Sequence, residues 1–121
     1  MHKVNLLSRA KIIEQSAVKL VVRLSLFDFP EYFQGHFPKH EVLPGVIQLA
    51  WVKELAGVWF GEDFFLRDIN QMKFMIPLNS QHTLETIIAR ASEQERRFSF
   101  SYYIVKASGE RVLASQGKGL L

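Results

Sequence analysis

The run from Gly45 to Phe60 (GVIQLAWVKELAGVWF) is apolar on nearly every side of a helical wheel, and Pro44 stands immediately before it. Proline suits the opening of a helix because the N–H it lacks has no intrahelical partner to lose there. A surface helix keeps one polar face, so a helix apolar almost all round is expected to be buried on most sides. Whatever this chain folds into must supply that cover. At 121 residues it has room for one core, so residues 1–121 read as a single domain.

Segments on both sides of the helix can provide the cover. Asp68 to Pro77, His82 to Ala91, Arg96 to Ala107 and Arg111 to Leu120 each have strand character, separated by polar turns at 78–81, 92–95 and 108–110. Arg97-Phe98-Ser99-Phe100-Ser101-Tyr102 alternates as a strand with one wet face should. Upstream, Ala17 to Leu26 is rich in β-branched residues and also reads as a strand, whereas Phe27 to Leu43 carries prolines, Gly35 and several aromatics and reads as an ordered loop. One buried helix followed by an antiparallel meander implies an α+β domain, with the sheet wrapped around the helix.

Composition narrows the function. The residues are 48% hydrophobic and 22% charged, an ordinary globular balance. Lys53 and Glu54, or Arg67 and Asp68, interrupt the longest apolar stretches, so no transmembrane helix is expected, and the first residues lack the apolar core of a signal peptide. A net charge of +3 is compatible with an acidic partner and too weak to point to nucleic acid. The absence of cysteine removes disulfides and thiolate metal sites and suits a cytoplasmic protein. His2, His40 and His82 show no metal-ligand spacing, so no metal is expected.

One stretch has the makings of a site. His36 sits in Gln34-Gly35-His36-Phe37-Pro38, a few residues before Leu43-Pro44-Gly45-Val46 and the helix start. Imidazole moves protons near neutral pH, and N–H groups at a helix start can stabilise a developing anion. Abstraction of a proton beside a carbonyl needs both. By itself, a histidine in a turn is more often a structural, hydrogen-bonded group.

Phe33-Gln34-Gly35-His36-Phe37-Pro38 followed by Val42-Leu43-Pro44-Gly45-Val46 resembles the signature of the beta-hydroxyacyl-ACP dehydratases of fatty-acid synthesis, which have the hot-dog fold. The strand from Ile69 to Pro77 and the strand lengths beyond it are also similar, so the resemblance covers nearly the whole chain. Within that superfamily the Pro-Gly-Val-Ile-Gln-Leu-Ala-Trp run looks most like the dehydratases of aryl-polyene gene clusters. The resemblance implies one long central helix wrapped by an antiparallel sheet, and a homodimer with two such helices side by side that can assemble further. It implies dehydration of a 3-hydroxyacyl thioester, carried on the phosphopantetheine of acyl carrier protein, to the trans-2-enoyl thioester, with no other cofactor. His36 matches the base and the Gly45 N–H the donor to the thioester oxygen. Gly35, Phe37, Pro44, Val46, Gln48 and Ala50 fall along the substrate. Gln48 could orient a water or the thioester, or equally cap a buried polar group.

Ala50 is the departure that matters. The resemblance implies a Glu or Asp there, to help the hydroxyl leave as water, and a methyl group moves no proton. Glu54 lies one turn on, on the same helix face and ~6 Å away, and is the candidate for a displaced acid. Enclosure would favour its protonated form. Alternatively Lys53-Glu54 simply marks where the helix meets solvent. A second departure is Lys39-His40-Glu41, where relatives often carry Gly and Pro. Those charges could alter substrate entry, supply a carboxylate, or merely decorate a loop. Phe33, Phe37, Trp51, Trp59, Phe60, Phe64, Phe65 and Phe74 are candidates for an acyl tunnel or plain core, and Lys39, Lys73, Arg96 and Arg97 for carrier docking. Two other functions stay open: a catalytically weak hot-dog subunit that binds a carrier or pairs with an active paralogue, and a hot-dog thioesterase.

Overall fold

The computed structural model describes residues 6–33, 42–60 and 68–120, with the backbone alone at Asp68 and Asn70. The described residues form six strands and one long helix: β1 (Ala10–Gln15), β2 (Lys19–Ser25), α1 (Gly45–Phe60), β3 (Asp68–Phe74), β4 (Thr83–Ala89), β5 (Arg97–Val105) and β6 (Arg111–Leu120). They form one antiparallel sheet in the order β1-β2-β4-β5-β6-β3. Short 3-10 turns occupy Leu7–Arg9, Leu26–Asp28 and Pro30–Tyr32. The hot-dog fold is present: one helix lies against one face of an antiparallel sheet.

The helix begins and ends where the sequence places it, and strand alternation explains how it is held. On β5, Phe98, Phe100, Tyr102 and Ile104 are buried while the residues between them are exposed or half-buried. Leu20, Val22 and Leu24 of β2 and Leu84 and Ile88 of β4 join them in a core that receives Trp51, Val52, Leu55 and Ala56 of the helix. Burial of such side chains contributes roughly 1.5–3 kcal/mol each, so this helix–sheet face dominates the stability.

Three features differ from the sequence expectation. β1 was not anticipated, because this edge strand is wet on both faces and carries a bulge between Ile12 and Glu14, so no alternation marks it. Only β4, β5 and β6 form a meander. β3 crosses to the far edge and pairs with β6, and Met75 and Ile76 donate backbone hydrogen bonds to the Ala114 carbonyl at 2.8 and 3.0 Å as the chain turns back toward β4. Finally, the helix is not buried on most sides within one chain. Val46 is 70% exposed and Val58 48%, because a single sheet covers only a single helix face.

Candidate functional site

Gly45 is the first helical residue, and the Ile47 and Gln48 N–H groups donate to the Pro44 carbonyl at 3.1 and 3.2 Å. The N–H groups of Gly45 and Val46 find no acceptor among the described residues, as the first N–H groups of a helix have no intrahelical partner. The residue must be small, since a Cβ on Gly45 would lie 2.7 Å from Cζ of Phe74. Phe74 itself is 54% exposed, so the end of β3 lays an accessible ring over this helix start.

The helix start is anchored from beneath by a buried polar network. Gln48 is buried; its Nε2 donates to the Leu43 carbonyl at 3.4 Å and its Oε1 accepts from Ser115 Oγ at 2.7 Å. The Tyr102 hydroxyl donates to the Gln48 backbone carbonyl at 2.5 Å. Burial pushes the Tyr102 phenol far above its ordinary range, so it stays a donor at every working pH. Of the two readings for Gln48, the geometry describes the cap: both ends of its amide are engaged inside the protein. Tyr102 and Ser115 were not singled out from the sequence. For Tyr102 the signal lay in the alternation of β5, which turns its ring inward, where a hydroxyl needs a partner.

One turn further along, Trp51 is fully buried and packs on Phe29 (centroids 5.0 Å apart) and edge-on against Tyr32 (5.5 Å). Phe33 is buried as well, and on the other side of segment 34–41 the Leu43 N–H donates to the Leu78 carbonyl at 2.7 Å. Both stems of that segment are therefore fixed to the core. His36, Gly35 and Phe37 lie outside the described residues, as do Lys39, His40, Glu41, Phe64 and Phe65.

Ala50 is half-buried, and so is Glu54, one turn later. Oε2 of Glu54 is shut off from solvent, whereas the neighbouring Lys53 is exposed. The pair thus divides between inside and outside instead of meeting solvent together. Of the aromatic candidates, Phe33 and Trp51 are core, Trp59 and Phe60 are half-buried at the helix end, and Phe74 borders the helix start. Lys73 and Arg96 are exposed, while Arg97 holds Glu95 through two hydrogen bonds at 3.0 and 3.3 Å. His82 accepts the Asn79 N–H on Nδ1 at 3.1 Å within a turn, and partial burial lowers its pKa. Among the described residues no cluster of His, Asp or Glu could hold a metal ion, and no helix is long and apolar enough to cross a membrane.

Comparison with known proteins gives consistent results. A family model described as ApeI dehydratase matches residues 12–118. The 3-hydroxyacyl-[acyl-carrier-protein] dehydratase FabZ of Ralstonia nicotianae is 30% identical over 80 residues, covering 64% of this chain and 49% of the relative. The FabZ of Thermotoga neapolitana is 25% identical over 109 residues, covering 90% of this chain and 70% of the relative. The chain thus spans about half the length of the first of these relatives and more of the second. Among solved structures, the dehydratase heterocomplex ApeI:P from Xenorhabdus doucetiae superposes with a TM-score of 0.74 at 28% identity, covering 92% of this chain and 96% of that one.

Proposed function

Because the chain belongs to the ApeI-like dehydratase family, we propose that it removes water from a 3-hydroxyacyl thioester carried on the phosphopantetheine arm of an acyl carrier protein. In this reading His36 takes the proton from the carbon next to the thioester carbonyl. The Gly45 N–H holds the oxygen of the resulting enolate, the C3–O bond breaks, and Glu54 gives its proton to the departing hydroxide. Water and the trans-2-enoyl thioester leave, and a proton returns from His36 to Glu54 through solvent. Abstraction and expulsion by two positioned groups contribute typically 10²–10⁴-fold each.

The observation that carries this reading is Glu54, with one carboxylate oxygen enclosed, one helical turn beyond the Ala50 that cannot do the work. The exposed apolar residues Val46, Val58, Phe74 and Met75 support a second copy of the chain as the cover that the helix lacks, with the two helices side by side and the sites at their interface. The molecule is read as cytoplasmic and as needing no metal.

A second reading is favoured by Ala50: a weakly active subunit that pairs with an active paralogue; the similar Xenorhabdus structure is a dehydratase heterocomplex. Incubation with a 3-hydroxyacyl carrier thioester, following enoyl product and free thiol together, tests both. Enoyl formation that falls at least ~10-fold in Glu54→Gln and in His36→Ala supports the first reading. Undiminished turnover in Glu54→Gln removes Glu54 from the mechanism. No product from the chain alone, restored by an unlike partner, supports the second reading, and thiol release without enoyl would make the protein a thioesterase.

A further inference from the structure

The connection between β3 and β4 is tied to the chain on both sides of segment 34–41. The Leu26 N–H donates to the His82 carbonyl at 2.9 Å, and the Leu43 N–H donates to the Leu78 carbonyl at 2.7 Å. From Leu26 the first tie runs on through short backbone bonds: Phe29 N–H to the Leu26 carbonyl, Tyr32 N–H to the Phe29 carbonyl and Phe33 N–H to the Pro30 carbonyl, at 3.0, 3.2 and 3.0 Å. Leu26, Leu43 and Leu78 are all buried. The two accepting carbonyls stand on either side of Asn79-Ser80-Gln81, so the shape of that turn sets how the two stems lie relative to each other.

His82 closes the turn twice. Its backbone N–H donates to the Asn79 carbonyl at 3.1 Å, and the Asn79 N–H donates back to Nδ1 of its ring, also at 3.1 Å. Within the turn the Gln81 N–H donates to Asn79 Oδ1 at 2.9 Å, the local bond that suits asparagine to turns. A ring nitrogen that accepts carries no proton, so the neutral imidazole holds its proton on Nε2. A second proton would set one N–H against another and leave the Asn79 donor without its acceptor.

Protons can reach the ring, because His82 lines a cavity of about 590 Å³ with Gln81, Thr83, Ile104 and Lys106. The charged groups on the surrounding elements do not hold a proton there. Asp28 belongs to the 3-10 turn after β2, Lys106 follows β5 and lies 3.8 Å from Glu110, and Glu85 of β4 is engaged by Arg23 and Arg111. Among the described residues no carboxylate forms an ion pair with His82. Burial lowers its pKa below the ordinary 6.5. Folding therefore favours the neutral ring; that contribution is complete above 6.5 and is lost as pH falls through the lowered value.

We infer that His82 is a positioning residue: its neutral imidazole locks this turn and, through Leu26 and Leu43, both stems of the segment that carries His36. Protonation opens the lock. The effect on catalysis rests on the dehydration reading, whereas the hold on the stems does not.

Amide hydrogen exchange of the full chain, read by NMR at Leu26 and Leu43 near pH ~7.5 and near pH ~5, tests the lock on either side of the histidine range. His82→Asn keeps an acceptor where Nδ1 stands and does not titrate, and His82→Leu removes it. Comparison with His82→Asn at the same pH cancels the intrinsic pH dependence of exchange and the titration of other groups. The parent should match His82→Asn at the higher pH and exchange about fivefold faster at the lower, where it should resemble His82→Leu. A parent that tracks His82→Asn at both pH values, or a His82→Leu protein as well protected as His82→Asn, overturns the inference. In enoyl formation, the acid limb of kcat/KM should lie at higher pH in the parent than in His82→Asn, and coincident limbs overturn the positioning role. The expected exchange pattern in a chain that forms no enoyl would support the lock and strike the dehydration reading instead.

Discussion

Replacing Gln48 by Leu tests whether the buried network beneath the helix start holds it in place. The substitution removes the 2.7 Å bond from Ser115 and leaves that hydroxyl, 1% exposed, without an acceptor. An orphaned buried polar group costs about 1–3 kcal/mol. The 3.4 Å contact to the Leu43 carbonyl is long and adds little. Exchange of an amide for an aliphatic side chain returns about 1 kcal/mol in a site that is already dry. The net loss should be about 1 kcal/mol, or a fall in Tm of roughly 4 °C for a domain of this size. Ser115→Ala in the same background removes the orphan, so the double variant should recover about 1 kcal/mol relative to Gln48→Leu alone. Urea denaturation at fixed protomer concentration measures all three variants against the parent. Strictly additive losses in the double variant would refute a coupled pair and reduce Gln48 to a spectator.

Other consequences follow from particular contacts. Val46→Asp with Val58→Asp should abolish self-association while leaving the fold intact, read by sedimentation velocity together with circular dichroism; an unchanged oligomer would mean that this helix face is not the interface. Gly117→Ala would put a Cβ 2.6 Å from Cζ of Phe100 and 2.9 Å from the Met72 sulfur, so overpacking should cost about 1–3 kcal/mol, partly relieved by Phe100→Leu. Hydrogen bonds from Arg97 hold the Glu95 carboxyl at about 2, below its ordinary value of 4.5. A depressed carboxyl stabilises the fold above the ordinary value, and that contribution fades as pH falls from 4.5 toward 2. Side-chain NMR titration should therefore give a Glu95 midpoint near 2, shifted back toward 4.5 in Arg97→Gln; a normal midpoint in the parent would show the pair to be open in solution.

The helix was legible in the sequence because its signals are local: a proline before it, a continuous apolar run, and charges confined to Lys53 and Glu54. The same holds for β5, where each second residue is buried. What could not be read depended on partners far along the chain. Nothing in the local pattern of β3 says that it pairs with β6, since strand order is decided by a crossing connection. Glu85 makes the point most sharply. It alternates with Leu84 and Thr86 on β4, which marks it as a wet position, yet it is fully buried. Arg23 of β2 and Arg111 of β6 close over its carboxylate, the latter at 2.9 Å. At the candidate site, the buried Gln48–Ser115–Tyr102 network was equally hidden, because its members come from three elements. The division between an enclosed Glu54 and an exposed Lys53 required the helix to be rotated onto its sheet, and the wheel alone, apolar nearly all round, does not fix that rotation.

The position of β6 has a consequence for how the molecule comes into being. The last of the described strands lies inside the sheet, between β5 and β3, with Asp68 opposite Leu120. Hairpins such as β4–β5 can form while the chain is still being made, but β3 has no neighbour until residues 111–120 exist. Phe74, whose ring defines the space over Gly45, is paired to Ser115 of that same strand. The helix start is thus completed by a closure of long sequence separation, the slow kind in folding. A growing chain would carry β3 as an unpaired edge until synthesis reaches β6, and that interval is when the protein is most exposed to aggregation.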